Sequence, residues 1–168
     1  GLTSIDNSVY DFGTDGAMQT GLVTMEDGTV LFFGADGKQA MGLQTVDGKT
    51  YYFNDLGMAV NTKQTIDGKT YYFGADGSMQ TGLVTLNNGV YYFGKDGSMQ
   101  TGFVTMEDGT VLFFGTDGKQ AMGLQTVDGK TYYFSDLGMT VNAKQTIDGK
   151  TYYFGADGSM QTGKVTLK

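Results

Sequence analysis

The chain has 168 residues and a mass of 18.0 kDa, room for one domain or a run of small repeats but not for two large domains. With 28 glycines and no proline, cysteine, histidine or tryptophan, ordinary zinc sites, thiol nucleophiles, disulfides and Ser-His-Asp triads are excluded. All eleven basic residues are lysine and eighteen carboxylates outweigh them, for a net charge of −7, so a phosphate backbone would be repelled and nucleic acid is not an expected partner.

Apolar runs such as Val-Leu-Phe-Phe at 30–33 are too short to span a bilayer, and no membrane insertion is expected. The first residues lack the charged and apolar regions of a signal peptide, so any export signal is expected outside this sequence. A cysteine-free acidic composition fits an extracellular location.

The sequence repeats itself with a period of 20 to 21 residues: 1–20, 21–41, 42–61, 62–81, 82–101, 102–122, 123–142 and 143–162, with a partial ninth repeat at 163–168. A longer period overlies the short one, because the stretch starting at 21 recurs almost unchanged at 102. The partial repeat and the lack of polar caps predict one array over 1–168 that is a fragment of a longer protein.

Each repeat reads as a β-hairpin followed by a second turn. In the third, two β-prone runs flank Asp47-Gly48, a pair suited to a turn in which both residues need positive φ. That turn predicts Val46 opposite Lys49, Gln44 opposite Tyr51, Leu43 opposite Tyr52 and Gly42 opposite Phe53. Gln44, Val46, Lys49, Tyr51 and Phe53 then share one face, and Leu43, Thr45, Thr50 and Tyr52 the other. The second and sixth repeats carry an extra loop residue, in Glu26-Asp27-Gly28 and Glu107-Asp108-Gly109, predicting a three-residue turn with left-handed glycine. After each hairpin comes a turn such as Gly74-Ala75-Asp76-Gly77 and an extended piece such as 78–81. A lone hairpin is marginal in water, so stability must come from stacking on neighbours. The expected fold is an all-β solenoid, a superhelix of stacked β-hairpin repeats, without helix.

The spacing Gly-Leu-x-Thr, Asp-Gly, Tyr-Tyr-Phe, Asp-Gly, Met-x-x-Gly resembles the cell-wall-binding, choline-binding-like repeats of Gram-positive bacteria. That family includes the glucan-binding repeats of glucansucrases and the receptor-binding repeats of clostridial toxins. The resemblance implies stacked hairpins with ligand grooves between them, and a protein secreted or attached to the bacterial cell wall. The choline-binding branch puts tryptophan after the leading glycine and before the Tyr-Tyr pair, making a cage for a quaternary ammonium. Here Leu43 and Thr50, Lys63 and Thr70, and Leu83 and Val90 stand at those places, which disfavours choline.

The glucan-binding branch has Gln, then Lys, then Tyr-Tyr-Phe. By that resemblance the carbohydrate-binding candidates are Gln44, Lys49, Tyr51 and Tyr52; Gln64, Lys69, Tyr71 and Tyr72; Gln125, Lys130, Tyr132 and Tyr133; and Gln145, Lys150, Tyr152 and Tyr153. Ring stacking on a pyranose, with amide and ammonium bonds to its hydroxyls, is the chemistry implied. In the second and sixth repeats Gln, Lys and Tyr are lost together, to Val23, Thr29 and Leu31 and to Val104, Thr110 and Leu112. This suits a shared polar site, and equally an apolar face packed on a neighbouring hairpin.

Methionines such as Met18, Met79, Met99 and Met160 are expected to fill gaps between hairpins. Twelve of sixteen Asp residues precede Gly, marking turn formers rather than catalytic carboxylates, and no calcium-loop spacing is present. The expectation is a chain without catalytic residues, metal or cofactor that binds neutral α-glucan at several weak sites. A teichoic-acid anchor, a host-glycan receptor-binding module and a structural spacer are the alternatives.

Overall fold

The computed structural model describes residues 1–164, so that residues 165–168 of the partial ninth repeat lie outside it. The protein is all-β, and among the described residues there is no helix, hence none long and apolar enough to cross a membrane. It divides into two compact units, one of residues 1–81 and 95–98, the other of residues 82–94 and from 99 onward.

Hairpins follow one another in chain order. In the first unit β1 (Leu2–Ile5) pairs with β2 (Ser8–Asp11) and β3 (Gly21–Thr24) with β4 (Val30–Phe33). There too β5 (Gly42–Val46) pairs with β6 (Lys49–Asn54), which adds the two-residue β7 (Gly57–Met58), and β8 (Thr62–Ile66) pairs with β9 (Lys69–Phe73). In the second unit β10 (Gly82–Leu86) pairs with β11 (Gly89–Phe93) and β12 (Gly102–Thr105) with β13 (Val111–Phe114). Next, β14 (Gly123–Val127) pairs with β15 (Lys130–Ser135), which adds β16 (Gly138–Met139), and β17 (Ala143–Ile147) with β18 (Lys150–Phe154). Every pairing is antiparallel.

Turn chemistry sets these registers. Asp47 and Gly48 have φ of 49° and 76°, and the Asp-Gly pairs at 67, 128 and 148 repeat those values, which fixes Val46 opposite Lys49 and the rest of the expected pairs. In the three-residue turn Gly28 is left-handed at 87°. Met25 N–H donates to Thr29 O at 2.7 Å, and Asp27 Oδ1 accepts from Thr29 N–H at 2.9 Å. The Asn87-Asn88 turn differs: neither Asn has positive φ, and Gly89 stands at 149°.

The second turn is as regular as the first. Gly74 N–H donates to Ser78 O, while Asp76 Oδ1 accepts from Ser78 N–H at 2.9 Å and from Ser78 Oγ at 2.6 Å. This small loop returns the chain so that Met79 bridges Phe73 and donates its N–H to Thr50 O of the preceding repeat at 2.7 Å. The same bond joins Gln39 to Val9, Gln120 to Val90 and Met160 to Thr131.

In both units the core is built on phenylalanine, one from each hairpin after the first. Phe33, Phe73, Phe93, Phe114 and Phe154 are fully buried, and Phe53 and Phe134 nearly so. Five of them are covered by an aromatic from the preceding hairpin: Phe32 on Phe53, Tyr52 on Phe73, Tyr92 on Phe114, Phe113 on Phe134 and Tyr133 on Phe154, at 5.5–6.1 Å between centroids. Met18, Met58, Met79, Met99 and Met139 lie against the second-turn glycine of the next repeat, as the gap-filling expectation required for Met18, Met79 and Met99.

Candidate functional site

Within each unit, successive hairpins meet face to back, and the candidate site is the groove between them. Its geometry is clearest between the sixth and seventh repeats. Phe103, on the outer side of β12, stays 42% exposed. Its ring meets Phe113 of its own hairpin at 5.2 Å, and on the next hairpin it meets Tyr132 edge-on at 5.0 Å and Phe134 at 5.9 Å. Four rings from two repeats therefore form one cluster, with Phe103 exposed, Phe113 and Tyr132 half-buried and Phe134 in the core beneath them. Leu43 with Tyr52 and Leu124 with Tyr133 occupy the places of Phe103 with Phe113 in the third and seventh repeats.

The sixteen candidate residues do not form four sets within single hairpins. Gln44 faces Tyr51 across the strands, with Lys49 on the same side, whereas Tyr52 pairs with Leu43 and points to the opposite face. The same split holds for Gln64, Lys69 and Tyr71 against Tyr72, for Gln125, Lys130 and Tyr132 against Tyr133, and for Gln145, Lys150 and Tyr152 against Tyr153. Stacking reunites them across repeats. Tyr52 lies on Phe73, on the side of β9 that carries Tyr71 and Lys69, and Tyr133 lies on Phe154, beside Tyr152. These two grooves thus draw their second tyrosine from one hairpin and their glutamine and first tyrosine from the next.

Burial separates the candidates further. Tyr51 is only 9% exposed, while Tyr52, Tyr71, Tyr72, Tyr132, Tyr133, Tyr152 and Tyr153 are half-buried. The glutamine amides turn to their own chain: Gln44 Nε2 donates to Met41 O at 2.8 Å, Gln125 Nε2 to Met122 O at 2.7 Å, and Gln145 Nε2 to Thr140 Oγ1 at 3.4 Å. Their carbonyl oxygens face away from these bonds.

Three of the four candidate lysines reach the second turn of the following repeat. Lys49 Nζ donates to Asp76 Oδ2 at 3.0 Å, and Lys69 to Asp96 and Lys130 to Asp157 at 3.1 Å. These carboxyls are held well below the usual carboxylate range, first by the serine two residues on, through its hydroxyl and N–H, and then by the lysine. The lysines are pushed up in turn by hydrogen bonding to the carboxylates. Where no lysine precedes, the second turn brings its own, Lys38 beside Asp36 at 3.9 Å and Lys119 beside Asp117 at 3.8 Å. In the second and sixth repeats Thr29 and Thr110 stand in the lysine position, and the residues at the same offset of 27 are Leu56 and Leu137. The joint exchange of Lys with Asp for Thr with Leu was a signal present in the sequence.

Two grooves have an acidic lip. One, of about 390 Å³, is lined by Gly82, Tyr92, Met106, Glu107 and Asp108. Its counterpart 81 residues earlier, of about 600 Å³, carries Met25, Glu26 and Asp27, with Asp11 in the place of Tyr92. Asp27 and Asp108 lie below the ordinary carboxylate range because Thr29 and Thr110 donate to them from the backbone and then the side chain.

Comparison with known families agrees with this architecture. A family model described as a choline-binding repeat matches residues 60–99 and 141–166, and one described as a putative cell wall binding repeat matches residues 41–57 and 122–138. The chain belongs to the cell wall-binding, choline-binding-like repeat family. No curated protein sequence matches it. Among solved structures, choline binding protein F from Streptococcus pneumoniae is 28% identical, with 96% of this chain aligned to 57% of that one at a TM-score of 0.80. The same protein crystallised with a peptidoglycan analogue gives 30% identity over the same shares and a TM-score of 0.78. CbpJ from the same organism shares the fold at 20% identity and a TM-score of 0.82, covering 92% of this chain and 56% of that one. The chain therefore spans little more than half the length of these relatives.

Proposed function

We propose that this repeat chain is a non-catalytic carbohydrate-binding module, a β-solenoid array over 1–168 that takes neutral α-glucan in the grooves between hairpins at the bacterial cell surface. The observation that carries this reading is the exposed ring of Phe103 set edge-on against Tyr132 of the next repeat. Such a platform offers stacking to the C–H face of a pyranose, and the glutamine carbonyls nearby accept from its hydroxyls. In this assignment the site residues are Tyr52 with Gln64 and Tyr71, Phe103 with Gln125 and Tyr132, and Tyr133 with Gln145 and Tyr152. Lys49, Lys69 and Lys130 serve the site through the ion pairs that brace one hairpin on the next.

The test is affinity electrophoresis in dextran of the wild type beside Phe103→Ala. Retardation of the wild type that Phe103→Ala reduces supports the assignment. Equal retardation of both folded proteins overturns it.

A second reading rests on the groove of Tyr92, Glu107 and Asp108, where an aromatic ring stands beside two carboxylates. That combination suits a cationic group on a cell-wall polymer, and would make the chain an anchor of the kind its choline-binding relatives represent. Binding that collapses in salt favours this reading, because attraction between exposed charges is screened whereas neutral sugar contacts are not.

A further inference from the structure

Asn88-Gly89 is the single Asn-Gly step in the sequence; the other five asparagines precede Ser, Asp, Thr, Asn or Ala. It lies at the tip of the β10–β11 hairpin, with Asn88 exposed. This is the turn that departs from the Asp-Gly turns of its neighbours: Gly89 adopts φ of 149° in a position filled by lysine in the third, fourth, seventh and eighth repeats. Tyr91, only 1% exposed, donates its hydroxyl to Asn88 Oδ1 at 3.1 Å.

We propose that Asn88 is a site of spontaneous deamidation, activated by Tyr91. The backbone nitrogen of Gly89, next to a residue with no side chain to block it, attacks Cγ of Asn88. A bond forms between that nitrogen and Cγ, the nitrogen loses its proton, the Cγ–Nδ2 bond breaks and ammonia leaves, giving a succinimide. Water then opens either carbonyl of the ring and yields Asp or isoaspartate at position 88. No oxidant or reductant takes part. As the nitrogen adds, negative charge develops on Oδ1, and the Tyr91 hydroxyl already points there, so the donor acts where charge appears.

The product changes the hairpin in two ways. A carboxylate replaces a neutral amide beside the Lys119 stem, which lies over Gly89. Isoaspartate also routes the main chain through the former side chain, lengthening it by a methylene and disturbing the pairing of Leu86 with Gly89.

The experiment ages the intact chain in mildly alkaline buffer at body temperature. Cleavage at lysine then isolates the peptide 70–95, in which fragmentation distinguishes Asn87 from Asn88. The expected result is an amide-to-acid mass gain at Asn88 ahead of all other asparagines, with isoaspartate in the product. Tyr91→Phe, which keeps the ring, should slow it about fivefold, equivalent to ~1 kcal/mol at 1.36 kcal/mol per decade. Conversion that does not favour Asn88 in the wild type overturns the proposal without any variant. A folded Tyr91→Phe chain, checked by circular dichroism, that ages at the wild-type rate overturns the role of Tyr91.

Discussion

Lys49 Nζ and Asp76 Oδ2 meet at 3.0 Å although 27 residues separate them. The two halves of this contact differ in how much else depends on them. Lys49 makes the one ionic contact from an exposed position, whereas Asp76 also holds the N–H and hydroxyl of Ser78 and thereby shapes its turn. Exposed ion pairs contribute little to stability, while an acceptor that closes a turn contributes more. Lys49→Ala should therefore lower the melting temperature slightly, and less again in high salt. Asp76→Ala should lower it more and nearly independently of salt. Thermal unfolding at two ionic strengths tests the order, and a larger loss for Lys49→Ala would contradict it.

Acid acts on the same carboxylates. Asp76, Asp96 and Asp157 are depressed in the folded state, so their contribution is present above the ordinary carboxylate pKa and is lost as pH falls through and below that range. The lysines they hold are raised, and that part is lost only in strong alkali. Stability of the chain should accordingly be flat through neutral pH and decline on acidification. In the triple variant Asp76→Asn, Asp96→Asn, Asp157→Asn the acid decline should be shallower, as read from denaturant midpoints across a pH series.

How far the sequence discloses these features depends on how local they are. Asp47-Gly48 dictates the pairing of Gln44 with Tyr51 because a two-residue turn leaves no other register. Met18 and Met79 read as gap fillers from composition and period alone, and they lie on Gly37 and Gly97. The partner of Lys49 is not legible in a single hairpin, because nothing there says which turn of the next repeat comes within reach; it shows only when repeats are compared, in the joint exchange of Lys and Asp for Thr and Leu. For the same reason Tyr51 and Tyr52, adjacent in sequence, look like one site, although alternation along a strand sends them into different grooves. Nothing in the sequence marks Phe103, because it stands where Leu22, Leu43, Leu83 and Leu124 stand in other repeats and shares their apolar character. The Asn87-Asn88 turn departed from the Asp-Gly pattern because Gly89, one residue later than the usual turn glycine, takes the positive φ.

Methionine and glycine form a second coupled pair. Gly77 has φ of 76°, and Met58 Sδ of the preceding repeat sits 2.6 Å from where a Cβ would be. Gly77→Ala must move Met58 and also bear left-handed strain of about 1–2 kcal/mol. Met58→Ala removes the clash and leaves the strain. The double variant Met58→Ala, Gly77→Ala should therefore be more stable than the sum of the two single losses implies, a coupling a double-mutant cycle measures. Additive losses would show that the methionine moves aside freely.

The last prediction concerns ligand length. On the proposed α-glucan reading, a groove offers a ring stack of about 1 kcal/mol and a few net hydrogen bonds of similar worth, set against the cost of immobilising the sugar. A single groove is thus a weak site. Grooves recur between successive hairpins within each unit, and a polymer held in one groove presents its next segment to another at high effective concentration. Affinity for an α-glucan should rise steeply once the chain is long enough to engage two grooves, while a short oligosaccharide binds weakly at every position. Phe103→Ala should then reduce polymer affinity more than oligosaccharide affinity, because it removes one link of a multivalent contact and leaves the other single sites intact. Isothermal titration with dextrans of graded length checks both statements. An affinity per chain that does not depend on glucan length would mean that one groove does all the binding, and the multivalent reading would be wrong.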